Sequence, residues 1–476
     1  MNTISSRQSF QLRPLGWEHD PAEERFKLST IDHTLNCAYT HYAIFFRLED
    51  ARKTDAVDVL RAGLERTLSQ ARHMCGTIEP DPEGGLSFVK RRDSTVQFVV
   101  HWLDPLGQHP SLDDIEKAHF SGRDGLRDIN LWSIPELTWG ERPEAEPDRS
   151  PVVSAYQITL TKGGLVLSMH HHHYSCDVMG WNAFTRQLSA NCYAIANSSS
   201  FPLWDPACLD VSRFTKDVPK DSLVEGPPVA QKHAGHLEQQ SVLFHLPKSK
   251  AAALKELAKP AGSMSPWIST YDAVCAYIWR MLSSIRAPRY KTDPSTILWV
   301  GEAVNMRPHL SDPLPERTVR NVVAGAFSDM APIPPLTAGE VISDAPLSTL
   351  AVYIRRLTES CNEARFLSLI NAIAPIRNKR ALAHSPDTRP PMSMFVSDHR
   401  SADVSNFDFG FAKPITYRHL WGDAKSAGVV VIYAPVSSSA NPDEGWMFTL
   451  TMEKELVPKL IETPEWAKYF EYRGID

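Results

Sequence analysis

Apolar residues recur at helical spacing from Asp55 to Ile78. Leu60, Leu64, Leu68 and Ala71 share a face and Gly76 supplies a stop, which predicts an amphipathic helix. Behind it, LSFV at 86–89 and TVQFVVHWL at 95–103 read as strands, the second largely apolar and therefore buried. KRRD at 90–93 reads as a solvated turn between them, and turn formers crowd the stretch up to Pro151. Two more strands are predicted at 152–160 (VVSAYQITL) and 164–173 (GLVLSMHHHH), then a helix from about Gly180 to Ala196.

Periodicity lapses from Phe201 to about Gln240, where PLWDP, DVPKD and EGPPVAQKHAGH predict a long exposed linker. This divides the chain into an N-terminal lobe (1–205), a crossover linker (206–240) and a C-terminal lobe (241–476). The second half restarts with a strand at 241–246 and a basic helix at 248–259, followed by a helix over TYDAVCAYIWRMLSSIR. Thr296–Val304 is predicted as a strand, and Leu347–Ala374 as one long helix striped by Leu350, Ile354, Leu357 and Cys361. Strands at 427–436 and 445–453 and a closing helix complete the pattern. Both halves mix strands with helices, so the fold class is α/β with two comparable lobes.

Composition narrows the possibilities. At roughly 100–200 residues per domain, 476 residues fit two or three domains or two large lobes. Hydrophobic (42%) and charged (22%) fractions lie near the globular average, which excludes disordered and fibrous classes. A net charge of −6 gives no pull toward phosphate backbones or anionic membranes, so no nucleic-acid or membrane partner is expected. Seven singly scattered cysteines, no CxxC pair, a polar N-terminus and no long apolar run lead us to expect a reduced, cytoplasmic monomer.

The richest chemistry lies in MHHHHYSCDVMGW (169–181), where a buried strand runs into a helix. Strand alternation puts His171 and His173 on one face and His170 and His172 on the other. An imidazole facing a cleft can take a proton from an alcohol or amine near neutral pH, and an aspartate four residues on can hold the loop. The same residues admit a metal site or plain core histidines; no Cys/His/Glu group elsewhere completes a ligand set, so no metal is expected. A second landmark, NFDFGFAKP (406–414), contains DFG without the glycine-rich loop, VAIK strand or HRD loop of a kinase.

HxxxD near 175 and DFGxxKP near 410 together resemble the BAHD-type acyl-CoA-dependent acyltransferases, in particular the fungal branch that decorates secondary metabolites. The likeness runs along nearly the whole chain: LSTID (28–32), LRAGLERTLSQARHMCGTI (60–78), STYDAVCAYIWR (269–280) and AVNMRPHLSDPLPERTVRN (303–321) stand in family order. It implies two chloramphenicol-acetyltransferase-like lobes, mixed sheets flanked by helices, with a solvent tunnel between them where acyl-CoA and acceptor meet at a histidine.

Residue by residue, the resemblance makes His173 the general base and Asp177 the motif aspartate, pointing away from substrate and paired with Arg307. Asp408, Phe409 and Gly410 take the DFG positions, which shape the lobe interface and donor channel. Acyl-CoA is implied as co-substrate, with no bound cofactor, and a small-molecule acceptor as the other partner. Lys248, Lys250, Lys255, Ser269 and Thr270 are candidate CoA contacts, the last two also ordinary helix-start residues; Ser397 is a candidate on the donor side and for the oxyanion. The chain departs from the family at Val178 (usually Gly), at FGFA (usually FGWG) and at His399, where a tryptophan is common. Three other readings stay open: a condensation-type enzyme using carrier-protein thioesters, a non-acylating binding protein or cyclase on the same fold, and a Cys176 nucleophile.

Overall fold

The computed structural model describes residues 6–476 apart from 83, 104–107, 141, 263–265, 384, 422–426 and 438. Two mixed sheets organise the chain. The first has six strands in the order Ser6–Leu12, Val96–Trp102, Ser154–Thr161, Gly164–His172, Tyr39–Arg47, Pro414–His419. The second has seven, in the order Val323–Phe327, Val300–Asn305, Met394–Asp398, Val429–Tyr433, Trp446–Glu453, Gln239–Leu246, Glu471–Ile475. A small three-stranded sheet (Glu23–Lys27, Leu86–Arg91, Thr77–Pro80) flanks the first lobe.

Helices Lys53–Gln70 and Val178–Ala196 pack together on the first sheet. Leu60, Leu64 and Leu68, all fully buried, form the inner face of the first of them. In the second lobe, Thr270–Tyr290 and Leu347–Glu359 cover the sheet. Strand Val429–Tyr433 shows how the lobes join: Val430 and Ile432 enter the C-terminal core, whereas Val429, Val431 and Tyr433 enter the core of the N-terminal lobe.

One strand of the segment 241–476, Pro414–His419, crosses to hydrogen-bond with Tyr39–Arg47 at the edge of the first sheet. Several expectations are revised. The stretch 206–240 is mostly exposed, but Cys208, Val211 and Phe214 are buried and Phe214 packs on Phe366. The expected long helix is two, Leu347–Glu359 and Glu363–Ile373. Between them Asn362 turns extended and its side chain accepts the Arg365 N–H, so capping wins over continuation. The chain ends on a strand, not a helix: Glu471–Ile475 extends the second sheet beside Gln239–Leu246. Lys90 is no solvated turn residue; it is buried at the end of a strand and donates to Asp20. Among the described residues no helix is long and apolar enough to cross a membrane, and no cluster of His, Cys, Asp or Glu is arranged to hold a metal.

Candidate active site

The four consecutive histidines have four different surroundings. The strand ends at His172, so His173 lies just beyond the ladder, in a loop whose His173 N–H donates to Ala38 O at 2.8 Å. The expected sharing of one strand face by His171 and His173 therefore fails. His171 is buried against Tyr156 and Phe184 beneath the Val178–Ala196 helix, while His173 lines a cavity between the lobes. His170 sits between Leu137 O (2.8 Å from Nδ1) and the Ile134 N–H (3.2 Å from Nε2). Nε2 of His172 lies 3.0 Å from Ala145 O, and its Nδ1 accepts the Tyr174 N–H at 3.2 Å. Burial pushes His170 and His172 down to about 4 and His171 to about 3, so all three are neutral ties at neutral pH.

His173 is different in kind. Its ring lines the cavity and lies against the backbone of its own residue and of Cys176, with no side-chain partner for Nδ1 among the described residues. Burial lowers its pKa from the ordinary histidine range, opposed by the backbone of His173 itself, the Asp177 carboxylate and the backbone of Cys176. The ring is thus neutral and basic at physiological pH, as proton abstraction requires.

The loop beneath it is tied from three directions. Asp177 caps the following helix through Gly180 N–H at 2.7 Å, accepts Val322 N–H at 2.7 Å and pairs with Arg307 Nη1 at 3.0 Å. These hydrogen bonds of its carboxylate go to the helix start and to the other lobe and not to the His173 ring. Gly180 permits this closeness, because a Cβ there would stand 2.6 Å from Val319 O. Asn321 donates to the carbonyls of His173 (3.1 Å) and Tyr174 (2.8 Å) and to Asp32 (2.9 Å), and Arg320 donates to Asp32 at 2.8 Å. Sequence reasoning saw Asp32 and Asn321 only as motif letters. The signal was there, since a buried Asp in one lobe and an Arg-Asn pair in the other need partners.

The cavity, about 170 Å³, draws on both lobes. Trp139, Trp421 and His419 form an aromatic wall: His419 stacks on Trp421 at 4.1 Å and Trp139 meets His173 at 6.2 Å. Ala303, Ala324 and Gly325, with small side chains or none, also line it. Ser397 and His399 lie at the end of Met394–Asp398 and face the cavity, with Ser397 Oγ 3.0 Å from His399 Nε2. Val178, the residue that replaces a glycine, also lines it. Cys176 is turned away, its Sγ 3.5 Å from His171 Nδ1, and burial raises its thiol to about 12, which leaves it poorly suited as a nucleophile.

Asp408 and Gly410 lie away from the cavity. Asp408 accepts the Gly410 N–H at 2.8 Å, and Gly410 (φ 79°) presses against Ala196, where a Cβ would come within 2.6 Å. Phe409 and Phe411 pack on Phe46 of the first sheet at 5.0 and 5.4 Å. The motif thereby anchors the crossing that lets Pro414–His419 join that sheet. Of the candidate CoA contacts, only Ser397 reaches the cavity. Lys248 and Lys250 are exposed on the Lys248–Leu257 helix, and Lys255 leans on exposed Trp267 at 5.5 Å. Ser269 caps Thr270–Tyr290 in a reciprocal box with Asp272, and Thr270 is the first residue of that helix.

A family model described as the Transferase family matches residues 18–466. The chain is 49% identical, over 98% of its length and 94% of the other's, to the Acetyltransferase FGR3 of Gibberella zeae. It is 24% identical to the Trichothecene 3-O-acetyltransferase TRI101 of Fusarium sporotrichioides, covering 92% of this chain and 94% of that one. Among solved structures, F. graminearum TRI101 complexed with ethyl coenzyme A shares the fold with a TM-score of 0.76 at 21% identity, over 95% and 100% of the two chains. Vinorine synthase shares it with a TM-score of 0.65 at 17% identity, over 96% of each.

Proposed function

The chain belongs to the Transferase family, as an acyl-CoA-dependent O-acyltransferase of the BAHD type, and from that premise we propose how its cavity works: His173 is the general base that passes an acyl group from acyl-CoA to a hydroxyl (or amine) of a small specialised metabolite. One observation carries this reading. A neutral imidazole, its loop held by Asp177, Arg307 and Asn321, opens onto a cavity built by both lobes.

In the reaction His173 removes the hydroxyl proton as the acceptor oxygen attacks the thioester carbonyl. The new C–O bond pushes the carbonyl electrons onto oxygen, and Ser397, on the cavity wall, is the candidate donor to that oxyanion. Collapse breaks the C–S bond, and the imidazolium returns its proton to the departing CoA thiolate. Asp177 does not touch substrate; it holds the loop. Lys248, Lys250, Lys255, Ser269 and Thr270 remain candidates for the distal parts of CoA, outside the cavity. The acceptor is favoured to be uncharged, because among the described residues the cavity lining includes no Lys, Arg or Glu and the carboxylate of Asp177 is already paired. Relatives named as acetyltransferases, and TRI101 structures holding coenzyme A with T-2 mycotoxin or deoxynivalenol, support a CoA thioester over a carrier-protein donor.

The test incubates the purified chain with a panel of acyl-CoAs and neutral hydroxylated metabolites, following thiol release and new ester masses together. Wild type should release CoA in step with ester, and His173→Ala should lose at least 10³-fold while melting as wild type does. Undiminished transfer by His173→Ala would falsify the assignment of the base.

A further inference from the structure

We propose that His399 is a positioning residue that orients the Ser397 hydroxyl toward the reacting carbonyl, by donating its own Nε2–H to Ser397 Oγ. The inference rests on the general-base reading above and adds to it the group that serves the oxyanion.

The geometry leaves two ways to share the proton between Ser397 Oγ and His399 Nε2, 3.0 Å apart. Either the serine donates to a bare Nε2, or a protonated Nε2 donates to the serine. The other ring nitrogen decides. Nδ1 of His399 is buried and has no hydrogen-bond partner among the described residues. A neutral imidazole carries one N–H, and a proton on Nδ1 would leave a buried donor unsatisfied, which is rare and costly; a bare acceptor is tolerated better. The ring is held neutral at about pKa 4, by burial first, so the doubly protonated alternative does not arise at neutral pH. The proton therefore sits on Nε2 and points at Ser397.

The consequence falls on the serine. With its oxygen accepting from His399, its own O–H is the remaining donor and turns into the cavity that His173 also lines. A hydroxyl aimed before the reaction loses no energy to reorientation when negative charge develops, which is the condition for strong oxyanion stabilisation. His399 is itself fixed. Its backbone N–H donates to Ile432 O at 2.8 Å, its carbonyl accepts from Tyr417 Oη at 3.1 Å, and Tyr433 meets the ring edge-on at 5.9 Å.

The test is a double-mutant cycle with Ser397→Ala and His399→Phe, and His399→Gln as the conservative rescue, each assayed with acyl-CoA and acceptor varied in turn. Each single variant should lower kcat ~10²-fold with KM for both substrates within about twofold, and the double variant should be no worse than either single. His399→Gln, whose amide N–H can still donate to Ser397, should recover at least tenfold over His399→Phe. Equal losses from His399→Phe in the wild-type and Ser397→Ala backgrounds would overturn the proposal, as would an acyl group trapped on Ser397, which would make the serine a nucleophile. His173→Ala run alongside separates the two levels. An inactive His173→Ala with an additive cycle removes only this inference, and an active one removes the reading beneath it. If His399→Phe does not fold, His399→Leu takes its place in the cycle, since it too removes the donor and only coupled residues give non-additive losses.

Discussion

The buried histidines make the fold acid-labile, and the size of the effect follows from their settings. His33, His170, His171, His172 and His399 are held at about 3, 4, 3, 4 and 4, each by burial in the first place. Unfolded, each titrates near 6.5, so below that pH the unfolded chain takes up protons that the folded one refuses. The sign is destabilising as pH falls, at ~1.4 kcal/mol per unit per histidine from 6.5 down to the folded values. Glu302 acts the other way. Burial raises it to about 8, with Thr358 donating to it, so folding holds its proton where the unfolded chain has lost it, and its contribution improves as pH falls from 8 toward 4.5. Five histidines less one glutamate leave a net four, and His41, His73 and His419, also buried and lowered, steepen the slope. Integrated from pH 6.5 to 5.5, where the unfolded histidines are partly protonated at the start, the loss is ~4 kcal/mol, a large share of the 5–15 kcal/mol typical of a domain. Urea titrations followed by tryptophan fluorescence at pH 7.5, 6.5 and 5.5 would measure it, at constant m-value. Glu302→Gln should deepen the loss to ~5 kcal/mol by removing the opposing group. A fall below ~1 kcal/mol, what a single histidine supplies, would refute the reasoning.

Asp177→Asn replaces a carboxylate that takes Gly180 N–H, Val322 N–H and Arg307 with an amide offering one acceptor oxygen. We expect a loss of ~3 kcal/mol in urea denaturation, and stability within 0.5 kcal/mol of wild type would show that the pairing is not what holds the loop. Gly410→Ala places a Cβ at φ 79° within 2.6 Å of Ala196. It should cost ~2 kcal/mol and lower the melting temperature, and an unchanged melt would mean that the crossing into the first sheet does not depend on this contact.

The pattern of apolar positions revealed the elements that bury one face and missed those whose partners are remote in sequence. Leu60, Leu64 and Leu68 announced their helix because a 3.6-residue period is visible locally. Strand Pro414–His419 has no such signature that assigns it to a sheet. Every residue in it is buried, so both faces are covered, and its ladder partner lies some 370 residues away at Tyr39–Arg47. The break at Asn362 was hidden for the opposite reason. The apolar stripe continues through Leu357 and Phe366, and only the side-chain cap, a hydrogen bond and not a hydrophobic period, ends the helix.

The site divides along the same line. The family resemblance singled out His173, Asp177 and Arg307 as candidates, because a loop between strand and helix is local and its arginine comes as part of a second motif. It could not rank four adjacent histidines. Their settings differ by the carbonyls that reach them from elsewhere in the chain: Leu137 for His170 and Ala145 for His172, whereas His173 lies against the backbone of its own residue and of Cys176. A histidine whose ring nitrogens are satisfied by backbone is committed to one tautomer and held in place. His173, one residue past the ladder, faces the cavity instead. The distinction is a single residue of register, and period-2 alternation, which would have paired His173 with His171, breaks down at the residue that lines the cavity between the lobes.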